Sequence, residues 1–415
     1  MILLRNITLH DKPAHILVDG GRIAKISREH IDVPGAEIVD CSGKAVIPGF
    51  VNMHTHAAMV LLRGIHEDLS LYDWLNNIWK IEANLDGEFI YWATKVACLE
   101  MIRCGTTTFN DQYWYSPHAR KAAIEMGIRP VVSFIFLDSH NPDLAARQRE
   151  ACERLYQRSL DWGEESQFAI SIHSVYTVSE ENILWASRFA REHSLKLHLH
   201  LGETELEDKD CRKAHGGLSP TAYFDSLGVL GPDVIAAHCL WLSDDDVRIL
   251  GERKVNCVHN INSNLKLASG YRFKYNELRD AGANVCIGTD GAASSNNMDI
   301  LDHMKNAAFL QKAWRGDPAQ MPISELIDCA TVHGARALGI DTGVIREGAW
   351  ADLSLIDITG TAFLSPGSTA ANLIYAANSE VISDVMAQGK WVMRGRKIPA
   401  EAEIIESARK VLSQI

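Results

Sequence analysis

The middle of the chain alternates short apolar runs with longer segments of helical periodicity. Eight runs are rich in apolar and β-branched side chains, the pattern of strands buried on both faces of a parallel sheet. They cover residues 50–56, 106–111, 130–137, 168–173, 196–201, 234–239, 256–260 and 284–289. Helical segments separate them, such as 87–103, which stops at Cys104-Gly105. Strands alternating with helices predict an α/β fold, here a (β/α)8 TIM barrel over residues 49–340.

Both ends of the chain show short alternating strands and glycine turns. A hairpin is predicted over 16–26, with its turn at Gly20-Gly21. The same pattern returns in an apolar strand at 351–356 and a hairpin over 385–392. Because the two ends resemble each other more than either resembles the middle, we expect one small β-sandwich domain, built from residues 1–48 and 341–415.

Composition and charge narrow the classes of function. The chain has 415 residues, 47% of them hydrophobic and 23% charged, the balance of a globular protein large enough for a barrel and a satellite domain. Its net charge of -12 argues against binding nucleic acid through the phosphates, which requires a basic surface. We therefore expect a small-molecule substrate rather than a nucleic-acid partner.

The cysteines and the apolar runs indicate where in the cell the protein is expected. Nine cysteines are dispersed without a Cys-x-x-Cys pair, as is typical of reduced thiols in a cytosolic protein. No apolar run approaches the ~20 residues of a membrane helix. Arg5 and His10 lie too close to the short apolar start for a signal peptide. A cytoplasmic protein without a membrane partner is expected.

Histidines and one aspartate stand where the predicted strands end. The first strand ends in His54-Thr55-His56, and side chains at i and i+2 of a strand point to the same side. The other candidates at strand ends are His173, His200, His238 and Asp290. Any one of these histidines alone would more often be a core or rim residue. Because polar residues at the C-terminal ends of barrel strands surround one mouth, six of them together predict a functional site.

The fifth predicted strand offers two histidines, His198 and His200, which point the same way. Glu203 follows three residues after His200, where the strand gives way to a loop. A carboxyl group near a metal-activated water is suited to shuttling protons. We therefore predict His200 as a metal ligand, Glu203 as a proton shuttle and His198 as a packing residue inside the barrel.

Asp290 lies in a Thr-Asp-Gly sequence and by itself resembles an ordinary turn aspartate. In a closed barrel, however, the eighth strand lies beside the first, which brings Asp290 within reach of His54 and His56. Three neutral imidazoles and one carboxylate leave a dication with one net positive charge and room for water. The pKa of such a water falls from ~15.7 towards ~7.

With these motifs in place, the chain resembles the amidohydrolase superfamily. It is most similar to the methylthioadenosine/S-adenosylhomocysteine deaminase group, which neighbours the triazine chlorohydrolases. The matching motifs span nearly the whole chain. They are Pro48-Gly49, His54-Thr55-His56, Leu62-Arg63-Gly64, Trp74-Leu75, His173-Ser174, His200-x-x-Glu203, His238-Cys239, the segment 263–270 and the segment 288–294.

The resemblance implies a metal-dependent hydrolytic deaminase. Such an enzyme converts an adenosine-type nucleoside (5'-methylthioadenosine, S-adenosylhomocysteine or adenosine) to the inosine-type product plus ammonia. One divalent metal ion per subunit is implied, with Zn2+ expected and Fe2+ or Mn2+ as alternatives. Its implied ligands are His54, His56, His200 and Asp290.

The resemblance also implies roles around the reacting centre. Glu203 and His238 flank the activated water, and Asp290 accepts a proton from it. Binuclear relatives carry a carboxylated lysine at the end of the fourth strand, where this chain has His173. A mononuclear site with His173 free to contact the substrate follows.

Further candidates lie on the substrate side. Glu82 matches a lid glutamate that binds ribose hydroxyls, although by itself it reads as a solvated helix carboxylate. Trp74 is either a lid packing residue or a wall against the purine. Arg147 stands in a suitable place for a homocysteine carboxylate, and could equally be an exposed helix residue. Phe134 replaces a second expected arginine, which favours methylthioadenosine or adenosine over a charged tail.

Two alternative functions remain open. A relative acting on a free base, a pterin or a triazine, as guanine deaminases and chlorohydrolases do, would keep the same metal ligands, and Glu82 is the residue that discriminates. A catalytically inactive barrel used for assembly need not keep the full ligand set, and this chain has it. The apolar positions 404, 408, 412 and 415 would suit packing on the barrel or on a second copy in a homo-oligomer.

Overall fold

A computed structural model describes residues 1–413 of the chain. Within them the strands are β1 (Ile2–Leu9), β2 (Lys12–Asp19), β3 (Arg22–Ser27), β4 (Glu37–Asp40), β5 (Lys44–Pro48), β6 (Phe50–Thr55), β7 (Thr106–Asp111), β8 (Arg129–Phe136), β9 (Gln167–Ile172), β10 (Leu197–Leu201), β11 (Val234–His238), β12 (Asn256–His259), β13 (Asn284–Ile287), β14 (Leu353–Asp357), β15 (Ile382–Ala387) and β16 (Lys390–Met393).

The α-helices are α1 (Leu71–Glu82), α2 (Gly87–Arg103), α3 (Ser116–Glu125), α4 (Pro142–Ser159), α5 (Glu180–Glu192), α6 (Glu205–Ala214), α7 (Pro220–Ser226), α8 (Asp244–Glu252), α9 (Ile261–Lys266), α10 (Tyr275–Ala281), α11 (Ala292–Ser295), α12 (Ile300–Arg315), α13 (Ile323–Ala330), α14 (Val332–Leu338), α15 (Thr369–Tyr375) and α16 (Glu401–Leu412). Short 3-10 helices cover Ala57–Leu62, Thr361–Phe363 and Ser379–Val381.

Strands β6 to β13 form a parallel sheet in chain order, and this confirms the predicted barrel. Every residue of β7, β10 and β11 is buried, as expected for strands covered on both faces. The strands β11 and β13 end one or two residues earlier than predicted. The backbone turns at or shortly after these strand ends, where His238, Cys239 and Asp290 have left-handed φ angles of 75°, 48° and 63°.

Side chains of β6 and of the segment after β13 close the barrel. Asn52 Oδ1 accepts a hydrogen bond from the Thr289 backbone N–H at 3.0 Å, and its Nδ2 donates to Thr289 Oγ1 at 2.7 Å. The Asp290 backbone N–H donates to the His54 carbonyl at 2.9 Å. A Cβ atom on Gly288 would lie only 2.8 Å from the backbone nitrogen of His54, so the close approach of the two segments requires glycine. The closure brings Asp290 beside the strand that carries His54.

The terminal strands β1 to β5 and β14 to β16 form a second, mostly antiparallel sheet. Strand β14 pairs with β5, which joins the two ends of the chain as predicted. The sheet encloses a core of its own, to which Ile16 and Ile23 contribute from one end and Leu355 and Met386 from the other. The domain boundaries at 48 and 341 stay a prediction.

The C-terminal helix α16 packs on α2 of the same chain. Its residues Ile404 and Val411 join the large core around the barrel, and Glu401 forms an ion pair with Arg103. Leu412 is exposed, and Ile415 lies outside the described residues. Among residues 1–413, none of the helices has the length and apolar character needed to cross a bilayer.

A buried ion pair joins the barrel to the terminal sheet. Arg129, the first residue of β8, donates from Nη1 to Asp352 Oδ2 at 2.9 Å, and both side chains are fully buried. Thr342 Oγ1 donates to the same oxygen at 2.6 Å, and the Gln388 N–H donates to Oδ1 at 2.6 Å. Through these hydrogen bonds, the Asp352 carboxylate joins the segments around Thr342 and Gln388 to Arg129 at the start of the barrel strand β8.

The substitution Asp352→Ala is expected to lower the free energy of unfolding by about 3–5 kcal/mol, because it leaves the Arg129 charge buried without a partner. Denaturant-induced unfolding followed by circular dichroism measures the change. Glu252→Ala breaks the exposed pair between Glu252 and Arg248 and is the control, expected to leave the midpoint unchanged. Equal midpoints for the two variants would contradict a stabilising role for the buried pair.

Candidate active site

The strand-end side chains predicted from the sequence meet in one cavity at the C-terminal mouth of the barrel. The strand ends contribute four imidazoles and two carboxyl groups to its lining: His56, His173, His200, His238, Glu203 and Asp290. The imidazole of His54 is fully buried beside them. The mouth gathers these groups because each one stands at or just after the end of a parallel strand.

Four strand ends contribute a compact set of nitrogen and oxygen atoms. His54 Nε2 and His56 Nε2 each lie 3.2 Å from Asp290 Oδ1. The ligand atoms of His54, His200 and His238 form a second group, within which all distances are at most 4.8 Å. Tetrahedral zinc ligands at 2.0–2.1 Å from the ion are about 3.3 Å apart, so the spacing around Asp290 fits a shared cation.

Backbone carbonyls orient two of these rings. His56 Nδ1 donates to the Gln112 carbonyl at 2.6 Å, and His200 Nδ1 donates to the His173 carbonyl at 2.7 Å. A carbonyl can only accept, so the proton of each neutral ring must be on Nδ1. The Nε2 lone pair of His56 and of His200 is then directed into the mouth, as a metal ligand requires.

Side chains orient the other two rings. His238 Nδ1 donates to Asn264 Oδ1 at 2.8 Å, and this leaves the Nε2 atom of the neutral ring as an acceptor. His54 Nδ1 shares a hydrogen bond of 2.8 Å with His198 Nε2, and His198 Nδ1 lies 3.1 Å from the Asn110 amide. The sequence assigned His198 to packing alone, whereas the structure places it in contact with a candidate ligand.

The two carboxyl groups at the mouth have opposite preferences for a proton. Burial raises the pKa of Glu203 well above its usual value, and the charges of Asp290 and Glu207 add to the effect. Burial would also raise the pKa of Asp290, but hydrogen bonds and charges from His54 and His56 hold it well below its usual value. Glu203 is therefore favoured as an acid and Asp290 as a carboxylate.

A third buried carboxylate fixes the loop that carries Glu203. Glu207 accepts hydrogen bonds from the backbone N–H groups of Gly202 and Glu203, at 2.9 and 2.8 Å. The Thr204 hydroxyl accepts from the Glu207 N–H and caps α6. With its backbone held in this way, Glu203 Oε2 lies 3.7 Å from His238 Nε2.

Burial keeps most of the imidazoles neutral. It lowers the pKa of His54 to about 4 and that of His173 to about 3, and it lowers that of His200 well below the usual value. His56 differs: burial opposes its charge, yet the hydrogen bond and the charge of Asp290 raise its pKa to about 9. In the absence of a cation, a proton on His56 therefore balances the charge of the Asp290 carboxylate. A bound metal ion would take the place of that proton.

The lid over the mouth is α1, and Glu82 is its last residue. Tyr113 Oη donates to Glu82 Oε1 at 2.5 Å, and both side chains are buried in the cavity wall. Burial raises the pKa of Glu82, although the Tyr113 hydrogen bond opposes the rise. Trp74 also lines the cavity and is buried. The interpretation of Glu82 as a solvated helix carboxylate is thereby excluded.

His173 lies at the cavity wall next to the candidate ligands. Its ring centroid is 5.0 Å from that of His200 and 6.0 Å from that of Trp79. His173 Nδ1 shares a hydrogen bond of 2.9 Å with Thr177 Oγ1. The side chain therefore stands between the candidate metal centre and the lid.

Arg147 is the predicted site residue that the structure does not place in the cavity. It is exposed on α4 and lines neither the active-site cavity nor the neighbouring cleft. The buried residues of α4 are Ala145 and Cys152, and a residue two positions after Ala145 lies about 200° round the helix. Its predicted contact with a substrate carboxylate is therefore not supported.

Several residues of the site had no role in the sequence interpretation. Gln112 and Tyr113 directly follow β7, so the strand-end rule that found the histidines would also have found them. Asn264 lies inside a motif quoted for the family resemblance, without an assigned role. Glu207 and the contact of His198 had no comparable signal, because both depend on distances across the fold.

The amidohydrolase family profile matches residues 45–392, and the chain belongs to this family. The 5'-deoxyadenosine deaminase of Methanospirillum hungatei is 41% identical over 404 residues, which are 97% of this chain and 89% of that protein. The 5-methylthioadenosine/S-adenosylhomocysteine deaminase 1 of Archaeoglobus fulgidus is 40% identical over 424 residues, which cover 100% of this chain and 99% of that one.

Among solved structures, an adenosine deaminase of Xanthomonas campestris with bound zinc superposes with a TM-score of 0.91. It is 30% identical in sequence, and the match covers 100% of this chain and 99% of that one. The family resemblance seen in the motifs and the barrel expected from the strand pattern are both confirmed.

The contact between His198 and His54 yields a test. His198→Leu is expected to weaken zinc binding by about 10–100-fold, because His54 loses the partner that orients its ring. Competition with a chromophoric chelator, on protein first stripped of metal, measures the affinity. His30→Ala changes an exposed histidine between β3 and β4 that does not line the cavity, and this control should bind zinc like the unaltered protein. Unchanged affinity in His198→Leu would return His198 to a packing role.

Proposed function

We propose that the protein is a metal-dependent hydrolytic deaminase of adenosine-type nucleosides. The observation that carries the proposal is the cavity in which Asp290 and Glu203 face the same group of imidazoles, with the Asp290 carboxylate 3.2 Å from His54 and His56 and the Glu203 carboxyl 3.7 Å from His238. The relatives named above, which are deaminases of 5'-deoxyadenosine, 5-methylthioadenosine and S-adenosylhomocysteine, support the choice of an adenine nucleoside.

His54, His56, His200 and Asp290 would bind one divalent cation, for which zinc is the proposed identity. The fit rests on the 3.2 Å spacings at Asp290 and on the Nε2 atoms that point into the mouth. The zinc carried by the Xanthomonas campestris relative supports the same ion. When bound, such an ion lowers the pKa of a coordinated water from 15.7 to about 7.

In the proposed reaction, three side chains handle the protons of one attacking water. Asp290 accepts a proton from the water as its oxygen forms a bond to C6 of the adenine ring. Glu203 donates its proton to N1, so the ring accepts the electron pair. His238 Nε2, free of a proton because Nδ1 donates to Asn264, accepts a hydrogen bond from the attacking oxygen and aligns it.

The second half of the reaction restores both acids. Asp290 passes its proton to the amino nitrogen on C6, and the C6–N bond breaks to release ammonia. The remaining hydroxyl proton returns to Glu203 as C6 becomes a carbonyl carbon. One water is consumed, and N1 of the inosine-type product keeps the proton that Glu203 first donated.

The lid supplies the proposed contacts to the sugar and the base. Glu82 accepts hydrogen bonds from the ribose hydroxyls, since Tyr113 occupies only one of its oxygens. Trp74 and His173 contact the purine, and both side chains line the cavity. A flat base or triazine would leave the second oxygen of the buried Glu82 carboxyl group without a partner, which disfavours those alternative substrates.

The lid also has to move when the substrate binds. The free volume inside the active-site cavity is about 60 Å3, well below the ~300–1,000 Å3 of pockets that hold small ligands. Leu71, Trp74 and Leu75 of α1 line it on the outer side. Entry of a nucleoside therefore requires an outward shift of α1, followed by closure over the bound base.

Ammonia release from a panel of compounds tests the proposed function. Adenosine, 5'-deoxyadenosine and 5'-methylthioadenosine are expected to react, whereas guanine and melamine are not. Glu82→Ala is expected to lower kcat/KM for the nucleosides by about 10–100-fold, the loss of one or two hydrogen bonds to a charged group. No release from any nucleoside would overturn the proposal, and release from guanine or melamine alone would favour the alternative.

Glu203→Gln is expected to lower kcat by about 10²–10⁴-fold, because the amide can donate a hydrogen bond but cannot give up a proton. Metal content, measured by elemental analysis, should stay unchanged. Glu205→Gln is a matched control, since Glu205 is exposed on α6 and pairs with Lys209. Turnover by Glu203→Gln close to that of the control would remove the shuttle role of Glu203.

A further inference from the structure

The loop that leads into the lid helix α1, residues 63–70, is joined to the barrel mouth by an ion pair. Glu67 Oε2 lies 2.7 Å from Lys266 Nζ, and Asn296 Nδ2 donates a hydrogen bond of 3.2 Å to Glu67 Oε1. Lys266 Nζ also donates to the Ala293 carbonyl at 3.0 Å. We call these four residues the latch. It connects the loop before the lid to α9, which ends at Lys266, and to α11, which ends directly before Asn296.

Both helices that Glu67 contacts through the latch support residues of the candidate active site. Helix α9 carries Asn264, whose side chain orients the His238 ring. Helix α11 carries Ser294, whose hydroxyl donates to Asp290 Oδ2 at 3.0 Å. The latch therefore joins the lid to the two elements that hold His238 and Asp290 in place.

The backbone of the loop turns sharply on either side of Glu67. His66 and Asp68 have left-handed φ angles of 57° and 60°. Residues other than glycine rarely adopt this conformation, and they keep it only where surrounding contacts favour it. Glu67, which lies between them, makes contacts of this kind with Lys266 and Asn296. The conformation of the loop and the ion pair therefore support each other.

The two ends of α1 are held differently. At its C-terminal end, Glu82 is buried and accepts a hydrogen bond from Tyr113. At its N-terminal end, the side chains of Glu67 and Lys266 are 33% and 24% exposed. Leu71, the first residue of α1, lines the active-site cavity. An outward swing of this end of the helix would open the cavity and separate Glu67 from Lys266.

We propose that Glu67 is a positioning residue, which holds the lid closed through the latch and is released from Lys266 when α1 swings outward. A partly exposed ion pair contributes only modestly to stability, which suits a contact that must break and re-form each time the lid moves. None of the four latch residues lines the active-site cavity. The inference therefore goes beyond the proposed reaction and concerns access to the site.

Hydrogen–deuterium exchange of the metal-loaded protein, without substrate, measures the opening of the lid. Glu67→Gln removes the charge and keeps an oxygen that can accept from Asn296. It is expected to raise the exchange rates of the α1 amides by about two- to fivefold, the loss of one exposed ion pair. Exchange in α4 is the internal reference and should stay the same.

Glu277→Gln is the matched control for this measurement. Glu277 pairs with Arg315 outside the lid, and the two side chains are 37% and 21% exposed, close to the values for Glu67 and Lys266. The control is expected to leave the exchange of α1 unchanged. Equal exchange rates of the α1 amides in Glu67→Gln and Glu277→Gln would overturn the proposal.

A second substitution tests whether Glu67 acts through Lys266. In a Lys266→Met background, Glu67→Gln is expected to leave the exchange of α1 unchanged, because the ion pair is already absent. High salt should raise the exchange of α1 in the unaltered protein, because it screens the ion pair, and should have little effect on Glu67→Gln. A further twofold increase in the Lys266→Met background, or an equal salt response in both proteins, would contradict the latch.

The exchange measurement is independent of the proposed function, because it uses no substrate. If no nucleoside releases ammonia while the α1 amides respond as expected, the deaminase function fails and the latch stands. If nucleosides react while the α1 amides of Glu67→Gln exchange like those of Glu277→Gln, only the latch fails.

Discussion

The site depends on one constraint, which is that the Nδ1 atom of each imidazole is hydrogen-bonded so that Nε2 faces the mouth. The partners come from neighbouring parts of the barrel: the carbonyls of Gln112 and His173, the His198 ring and the Asn264 amide. A free imidazole rotates and exchanges tautomers, so a set of ligands within a few ångströms requires these anchors. The strand ends thus bring the rings together, and the hydrogen-bond partners fix the orientation that a metal ligand requires.

Closure of the barrel supplies the carboxylate to this set. The approach of Gly288 to His54, together with the hydrogen bonds between Asn52 and Thr289, brings Asp290 against two imidazoles that lower its pKa. Glu203, buried without such partners, has its pKa raised by the same low-dielectric surroundings. Two carboxyl groups in one cavity acquire opposite protonation preferences because only one of them touches positive charge.

The barrel and the lid contribute different groups to the site. The strand ends hold the groups suited to proton transfer, which many members of such a fold can share. The lid helix α1 and the segment after β7 carry Glu82, Trp79, Tyr113 and Trp114, which line the cavity and, under the proposed function, face the sugar and the base of the substrate. Changes in these two segments can alter the substrate without disturbing the metal centre.

The sequence by itself determined the barrel, the strand ends and the identity of the candidate ligands, because strand periodicity and residue spacing are local properties. It also placed Glu203 three residues after His200, where the loop begins. Only the tertiary structure decided that His198 contacts His54, that Tyr113 binds the buried Glu82 and that Arg147 faces solvent. These outcomes depend on helix rotation and on distances between strands far apart in the chain, and no local pattern encodes them.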